Sequence, residues 1–371
     1  MSRSTGGSSL KGKAIAYPTQ PDLPELRPND IVIAVMGITG TGKTTLISYF
    51  SEREMKIGHG LEACTATVEI SRCNLPDGSK IFLVDTPGFD DTYKSDTEIL
   101  REVAHWLTAA YTHDIKLTGI IYLHRIQDPR VTGTGLKNLI MFQKLCGEEG
   151  LGSVVLATTR WSAISLETAE DHESQLKAEF WKAMIDHGSR VFRQDRGRES
   201  ALEIIQYLIR KKRPVTLDIQ SDMVDKGLEL NETAAGKEVV SEAEKQNKAN
   251  EERIALIRKE LQEALTRKDE ESREELEELK AETEKEMRTY REELQKMKVG
   301  REELRRQMEE KYKKEKEQLL QQMQANEKLL EEEEHRRRTM EEKHKQDLEL
   351  QKAKLQNKYY QLLLSDKCWV M

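Results

Sequence analysis

The sequence predicts an α/β fold, a doubly wound and mostly parallel sheet, followed by a long α-helical coiled-coil tail. Three observations lead there. Ile31 to Met36 is a continuous apolar, largely β-branched run that enters a glycine loop, Gly37-Ile38-Thr39-Gly40-Thr41-Gly42-Lys43-Thr44, and Thr45 to Phe50 can continue as a helix. Strand-like and helix-like segments then alternate, the pattern of a parallel sheet covered on both faces. Beyond that the composition changes: all six Phe lie at or before Phe192, all eight Pro lie at or before Pro214, and the remainder is rich in Glu, Lys and Arg.

Residues 1–29 are rich in Ser, Gly and Pro and read as a disordered lead-in. The α/β domain spans 30–212. Thr67 to Arg72 and Lys80 to Val84 flank Pro76-Asp77-Gly78, a turn signal that makes them a hairpin. Ser95-Asp96-Thr97-Glu98 has the form of a capping box and opens a helix through Ile99, Val103, Trp106, Leu107 and Ala110. Leu117 to Leu123 and Ser153 to Ala157 are further buried strands. The helix Leu136 to Leu145 lies between them, closed by Cys146-Gly147. Leu166 to His187 is expected as one helix ended by Gly188, Val191-Phe192 as a short strand, and Ala201 to Arg210 as a last amphipathic helix.

Residues 213–237 read as a linker and 238–364 as helix. Apolar residues recur at spacings of three and four, among them Ile254, Ile257, Leu261, Leu276, Leu279, Met287, Leu294, Met297, Leu304 and Met308, which suits a coiled-coil seam. Lys268, Thr283, Arg301 and Asn326 interrupt that seam, and Gly300 is its weak point. The stretch Glu331 to Lys345 reads instead as a charged helix held by i,i+4 ion pairs. Kept straight, the region would reach roughly 190 Å at about 1.5 Å per residue.

The glycine loop fits G-x-x-x-x-G-K-[ST] at every fixed position. Gly37, Gly40 and Gly42 let the backbone wrap an anion, the loop N–H groups and the helix N-terminus point at phosphate oxygens, Lys43 meets the β and γ phosphates, and the Thr44 hydroxyl meets Mg²⁺. Thr39, Thr41 and Thr45 complete the phosphate-side set. Ile81 to Val84 runs into Asp85-Thr86-Pro87-Gly88, a buried strand ending in a metal-linked Asp and a mobile Gly whose N–H can contact the γ-phosphate. Between the two motifs lies the first switch, where Thr65, with Thr67 second, is expected to close on Mg²⁺.

These residues resemble a translation-factor-class GTPase. With Asp85 to Thr92, Gly119 to Arg125 and Leu145-Cys146-Gly147, residues 30–212 more closely resemble the immunity-associated (AIG/GIMAP-like) P-loop GTPases, relatives of septins and Toc receptors. The branch resembled is that of fungal G-domain proteins with a C-terminal coiled coil. The resemblance implies a P-loop G domain, GTP/GDP and Mg²⁺ as cofactors, and a homodimer or oligomer formed through the G domain. It implies an arginine at the dimer interface, for which Arg125 matches the region and Arg130 is the runner-up.

Two departures matter. Guanine is usually read by N-K-x-D after the fifth strand, and here Val154 to Ala157 leads into Thr158-Thr159-Arg160-Trp161, without a carboxylate. Thr159 can offer a hydroxyl and Trp161 a stacking face, and Gly188-Ser189 is a candidate for the last base loop. Where Ras-like enzymes place Gln after the switch glycine stands Phe89, which cannot orient water by a hydrogen bond, so intrinsic hydrolysis should be slow.

The net charge of −7 gives no reason to expect a nucleic-acid partner. The four cysteines form no C-x-x-C pair and no leader is evident, which suggests a reducing, cytoplasmic setting. No apolar run is long enough to span a membrane. Residues 365–371 end in Cys368-Trp369-Val370-Met371, the C-a-a-X pattern for farnesylation at Cys368, which would place the chain peripherally on a cytoplasmic membrane face. The expected function is a GTP-binding, slowly hydrolysing switch whose turnover rises on dimerisation. The alternatives are a hydrolysis-deficient, nucleotide-dependent coiled-coil scaffold and an ATP-binding P-loop protein. The protein effector is not specified by the sequence.

Overall fold

A computed structural model describes residues 26–52, 67–89, 94–128, 133–211, 213–267 and 270–366. Its six-stranded sheet has the order β2-β3-β1-β4-β5-β6. The strands are β1 (Val32–Gly37), β2 (Glu69–Asn74), β3 (Lys80–Asp85), β4 (Gly119–Arg125), β5 (Val154–Thr159) and β6 (Arg190–Arg193). Every pairing is parallel except β2 with β3. Every residue of β1 and β5 is buried, as strands covered on both faces must be. Alternation along β4 assigns the faces. Ile121 and Leu123 join Leu46, Ile47, Ile204 and Leu208 from α1 (Lys43–Ser48) and α6 (Arg198–Lys211), the helices on that face. Tyr122 points the other way and meets Phe142 of α3 (Thr134–Leu151), ring centroids 4.5 Å apart.

The hairpin forms where Pro76-Asp77-Gly78 predicts it: Gly78 takes φ +82° and the Ser79 amide donates to Asp77 Oδ1 at 2.9 Å. Helix α2 (Asp96–Thr112) starts at Ser95, whose hydroxyl accepts from the Glu98 amide. The expected capping box is only half realised, because the Glu98 carboxylate pairs with Lys296, 3.7 Å away, and does not turn back on its own helix. Helix α3 kinks at Gly147 (φ 71°, ψ 164°), where the sequence expects it to close. The single helix expected over 166–187 is interrupted. Between α4 (Leu166–Gln175) and α5 (Lys182–Asp186) lies a π turn, Leu176–Phe180, closed by the Trp181 amide on the Leu176 carbonyl. Trp181, which closes that turn, is completely buried.

Residues 213–237 do not behave as a linker. Val215 bridges Leu117, and Leu217, Ile219, Met223 and Leu230 are buried. The short helix α7 (Asp218–Gln220) is pinned to α2 by a hydrogen bond from Gln220 Nε2 to the Leu107 carbonyl, 2.9 Å. A stretch that hides this much apolar surface is part of the folded unit.

The helical region does not run straight either. Helices α8 (Ala234–Arg267) and α9 (Glu270–Met297) pack antiparallel: Asn250 meets Glu286 at 3.2 Å, and the Leu230 amide meets the Val299 carbonyl at 2.9 Å. The stripe that reads as a seam for a partner is consumed internally, with Ile254, Ile257, Ala264, Met287 and Met297 buried. Thr283, a polar interruption of that stripe, is buried with its hydroxyl on the Leu279 carbonyl. The chain leaves α9 through Lys298 to Gly300, and α10 (Arg301–Asp366) begins there, its Leu304 amide on the Gly300 carbonyl. The end of α9 and the start of α10 clasp α2. Ser95 donates to Glu293 at 2.6 Å, Arg301 to Thr112 at 3.0 Å, and the Arg101 guanidinium to Gln307 at 2.6 Å and to the Lys296 carbonyl.

Contacts divide the chain into two units, 1–308 and 309–371. In the second, helix α10 continues to Asp366 with large apolar side chains exposed, Leu330 at 63% and Met340 at 72% among them. No described helix is long and apolar enough to cross a membrane.

Candidate phosphate and metal site

The site forms at the carboxyl ends of β1 and β3, where an open α/β sheet places its ligands. Gly37 ends β1 at φ +139°, and a Cβ there would come within 2.4 Å of the Leu123 carbonyl oxygen on the neighbouring strand. Gly40 (φ +80°) and Gly42 (φ +96°) also take the left-handed turn that only glycine makes without strain. Inside the loop Thr41 is fully buried with its hydroxyl on the Ile38 carbonyl, 2.9 Å. Lys43 curls back over the loop, its Nζ 3.1 Å from the Gly37 carbonyl and 3.2 Å from that of Ile38. Thr45 lies in the first turn of α1.

Parallel pairing sets Val35 beside Asp85, and so brings the end of β3 to the loop. The Thr44 hydroxyl donates to Asp85 Oδ2 at 2.6 Å. A buried carboxylate and a hydroxyl are hard oxygen donors, and they fit Mg²⁺, which takes one or two protein ligands and completes its octahedron with phosphate oxygens and water. Among the described residues no cluster of three or more His, Cys, Asp or Glu offers a self-sufficient metal cage. Thr65 lies outside the described residues. Thr67 stands two positions ahead of Glu69, the residue paired with Asp85 across the hairpin.

The segment after Asp85 lies directly on the loop. The Thr39 amide donates to the Phe89 carbonyl at 3.0 Å, and a Cβ on Gly88 would meet Thr39 Oγ1 at 2.4 Å and its amide nitrogen at 2.7 Å. Phe89 is wholly buried. The residue at the water-orienting position is therefore a core side chain, tied to the loop through its backbone.

Arg125 ends β4. Its Nε donates to Asp128 at 2.8 Å, and its Nη1 lies 3.2 Å from where a Cβ on Gly40 would stand. The arginine thus lies against its own phosphate loop, held by Asp128, a residue that sequence reasoning missed although it stands only three positions on. His124, also missed, is 7% exposed, edges Trp181 at 5.9 Å, and burial pushes its imidazole down to about 4. It lines a cavity of about 40 Å³ with Ile38, Tyr122, Asp128 and Trp181. A larger groove of about 740 Å³ lies along β6 and is lined by no phosphate-loop residue.

On the base side the structure locates all three expected groups and corrects the readings of Thr159 and Ser189. The Thr159 hydroxyl is not available to a base, because it donates to the Thr41 carbonyl at 2.9 Å and is buried. Trp161 is already engaged, its Nε1 on Thr158 and one ring face under Arg193 at 4.2 Å. Ser189 precedes β6, at the opposite end of the sheet from the carboxyl ends that form the site, and its hydroxyl is bound to the Leu151 carbonyl. Arg130 and Cys368 lie outside the described residues.

Residues 32–137 match the family model described as 50S ribosome-binding GTPase. Among solved structures, Toc33 from Arabidopsis thaliana in complex with Mg²⁺ and GMPPNP is 14% identical, covers 51% of this chain and 88% of its own, and has a TM-score of 0.41. Elongation factor SelB from Methanococcus maripaludis is 16% identical over 50% of this chain and 35% of its own, with a TM-score of 0.35. The G domain of the T. maritima FeoB iron transporter is 18% identical over 49% of this chain and 99% of its own, with a TM-score of 0.30. The sheet and the loop define the class of fold: a P-loop G domain, of which residues 32–137 match the family model, followed by a long helical C-terminal region.

Proposed function

We propose that the protein is a GTP-dependent switch with slow intrinsic hydrolysis that dimerisation accelerates, held on a cytoplasmic membrane face by a farnesyl group on Cys368. The observation that carries the nucleotide reading is the Thr44 to Asp85 hydrogen bond, which joins two motifs 41 residues apart at the mouth of the phosphate loop. A bound Mg²⁺ would supply charge neutralisation at the phosphates. Thr44 and Asp85 would hold it, with Thr65 the proposed further ligand, Lys43 would exchange the loop carbonyls for the phosphates, and the Gly88 amide would meet the γ-phosphate. Titration with fluorescent GTP and ATP analogues plus Mg²⁺, beside Lys43→Ala, tests this. GTP binding lost in the variant supports it, and no binding by the wild-type chain ends it.

The burial of Phe89 supports slow turnover, since no side chain there can orient water. Arg125 is the candidate for the missing charge, an arginine near the γ-phosphate being worth about 10³ or more in rate. Arg125→Ala should bind nucleotide normally and lose the rise of specific activity with protein concentration. An unchanged rise excludes this role. The same buried Phe89 favours a second reading, a scaffold that binds GTP and scarcely hydrolyses it. Single-turnover rates at high protein concentration separate the two.

One farnesyl chain binds membranes marginally, and a dimer presents two. A Cys368→Ser chain that stays on vesicles as firmly as the farnesylated protein removes the lipid from the proposal.

A further inference from the structure

We infer that the second unit is an interface for a second copy of this chain, in which two α10 helices pair antiparallel in one register, with His335 beside His335. The inference goes beyond the nucleotide reading and does not depend on it.

The surface is a helix face that the chain leaves uncovered. Met323, Leu330, Arg337, Leu348 and Leu355 follow one another on α10 at steps of 7, 7, 11 and 7 residues. At about 100° per residue they lie within roughly 40° of one another. Leu330, Leu348 and Leu355 are exposed. The middle of this face is charged: Arg337 lies on it, and Glu333 stands one turn before.

The charges around His335 select the occupant. Glu331 to Glu334 precede it, and Arg336 to Arg338 follow. Within one chain Arg336 meets Glu332 at 3.9 Å, Arg337 meets Glu341 at 3.6 Å and Arg338 meets Glu334 at 3.4 Å. All six side chains are at least 69% exposed, and ion pairs so exposed are worth little. A second copy running in the same direction, in register, sets Glu against Glu and Arg against Arg, which is repulsive.

Reversing the second copy about His335 removes that conflict. Each residue then shares a level with the one equally far on the other side of His335. Glu332 to Glu334 stand level with Arg336 to Arg338, and Leu330 stands level with Met340. From Glu317 to Ala353 no level holds two acidic side chains, and none holds two Lys or Arg. Such a pair is two-fold symmetric, so the same flank of each helix meets its counterpart. Glu327 and Lys345 are 18 residues apart and therefore on one flank, which brings Glu327 of one chain beside Lys345 of the other. Arg337 opposite Glu333 weakens an otherwise apolar seam and fixes its direction and register.

The test treats the full-length chain, half of it isotopically labelled, with a carbodiimide that joins a lysine amine directly to a carboxylate. Light scattering counts the chains per particle. Dimers with a Lys345 to Glu327 link between labelled and unlabelled chains are expected. Within one helix those residues stand roughly 27 Å apart, out of reach of a direct link. Arg336→Glu, Arg337→Glu and Arg338→Glu together should lower the yield of that link about tenfold or more, with the helix verified by circular dichroism. Adding Glu332→Arg, Glu333→Arg and Glu334→Arg to these exchanges the two blocks. The exchanged chain should pair with itself and not with wild type. A monomeric wild-type chain, or dimers without the Lys345 to Glu327 link, overturns the proposal. So does an exchanged chain that pairs preferentially with wild type, as same-direction pairing requires, or that mixes with it at random.

Discussion

Gly88 illustrates how little room single residues have at this site. A methyl group there would stand 2.4 Å from Thr39 Oγ1 and 2.7 Å from the Thr39 amide nitrogen. Gly88→Ala must therefore push the post-β3 segment off the loop and break the bond between Thr39 and Phe89. The expected result is a lower melting temperature and at least tenfold weaker triphosphate binding, read by the same fluorescent titration. His124 gives a pH prediction. Its imidazole is buried, with no partner for Nε2 among the described residues, and its pKa falls from an ordinary value near 6.5 to about 4. Between those values the unfolded chain holds a proton that the folded chain does not. Stability is therefore full above the ordinary histidine pKa and is lost as pH falls toward the depressed one. By linkage the loss at pH 5 is on the order of 2 kcal/mol. Urea melts of wild type and His124→Phe at pH 7.5 and pH 5 should differ by about that amount in their pH dependence, and equal slopes would clear His124 of the effect.

At the scale of elements, the contact that matters most is the clasp of α9 and α10 on α2. Arg101 is 8% exposed and sits between the Lys296 carbonyl, Gln307 and the Glu293 carboxylate. Arg101→Ala leaves the Lys296 carbonyl and Gln307 without this donor and should cost about 2 to 3 kcal/mol. Faster amide exchange in α8 and α9 than in β1 would locate the loss at the clasp. Burial alone would raise the Glu293 pKa, but hydrogen bonds from Lys296 and Ser95 and the Lys296 charge outweigh it and hold the carboxyl below its ordinary value. Its share of the stability is thus present above the ordinary carboxylate range and fades as pH falls through the lowered value, so acid should loosen the clasp. Because α2 directly follows the segment that touches the loop, this is also the element that connects the site to the helical region. The kink in α3 is a second element-scale device. Gly147 has φ +71°, and a Cβ there would meet the Asp218 carboxylate at 2.0 Å, so Gly147→Ala should lower stability by about 2 kcal/mol or more in a denaturant melt.

At the scale of the whole molecule, the first unit closes at Met308 and the second begins at Glu309. A chain cut after Met308 should keep the melting temperature and nucleotide affinity of the full protein. Any self-association driven by exposed side chains such as Leu330, Met340 and Leu355 should disappear with the second unit. Light scattering at matched concentrations checks this, and an unchanged number of chains per particle would assign association to the first unit. The sheet and the phosphate loop were legible in the sequence because their signals are local. A β-branched run, three glycines and a Lys-Thr pair specify strand, turn and anion cradle without reference to the rest of the chain. The direction of the Arg125 side chain and the burial of Phe89 were not legible, since each depends on which neighbour a strand end meets. The helical tail divides the same way. Its periodicity determined that it would be helix with an apolar stripe, and Gly300 marked where it would break. Periodicity is silent about what covers a stripe. Only the tertiary structure decided that α8 and α9 cover each other and dock on α2, and that residues 213–237 belong to the core, because buried area depends on contacts between residues far apart in the chain.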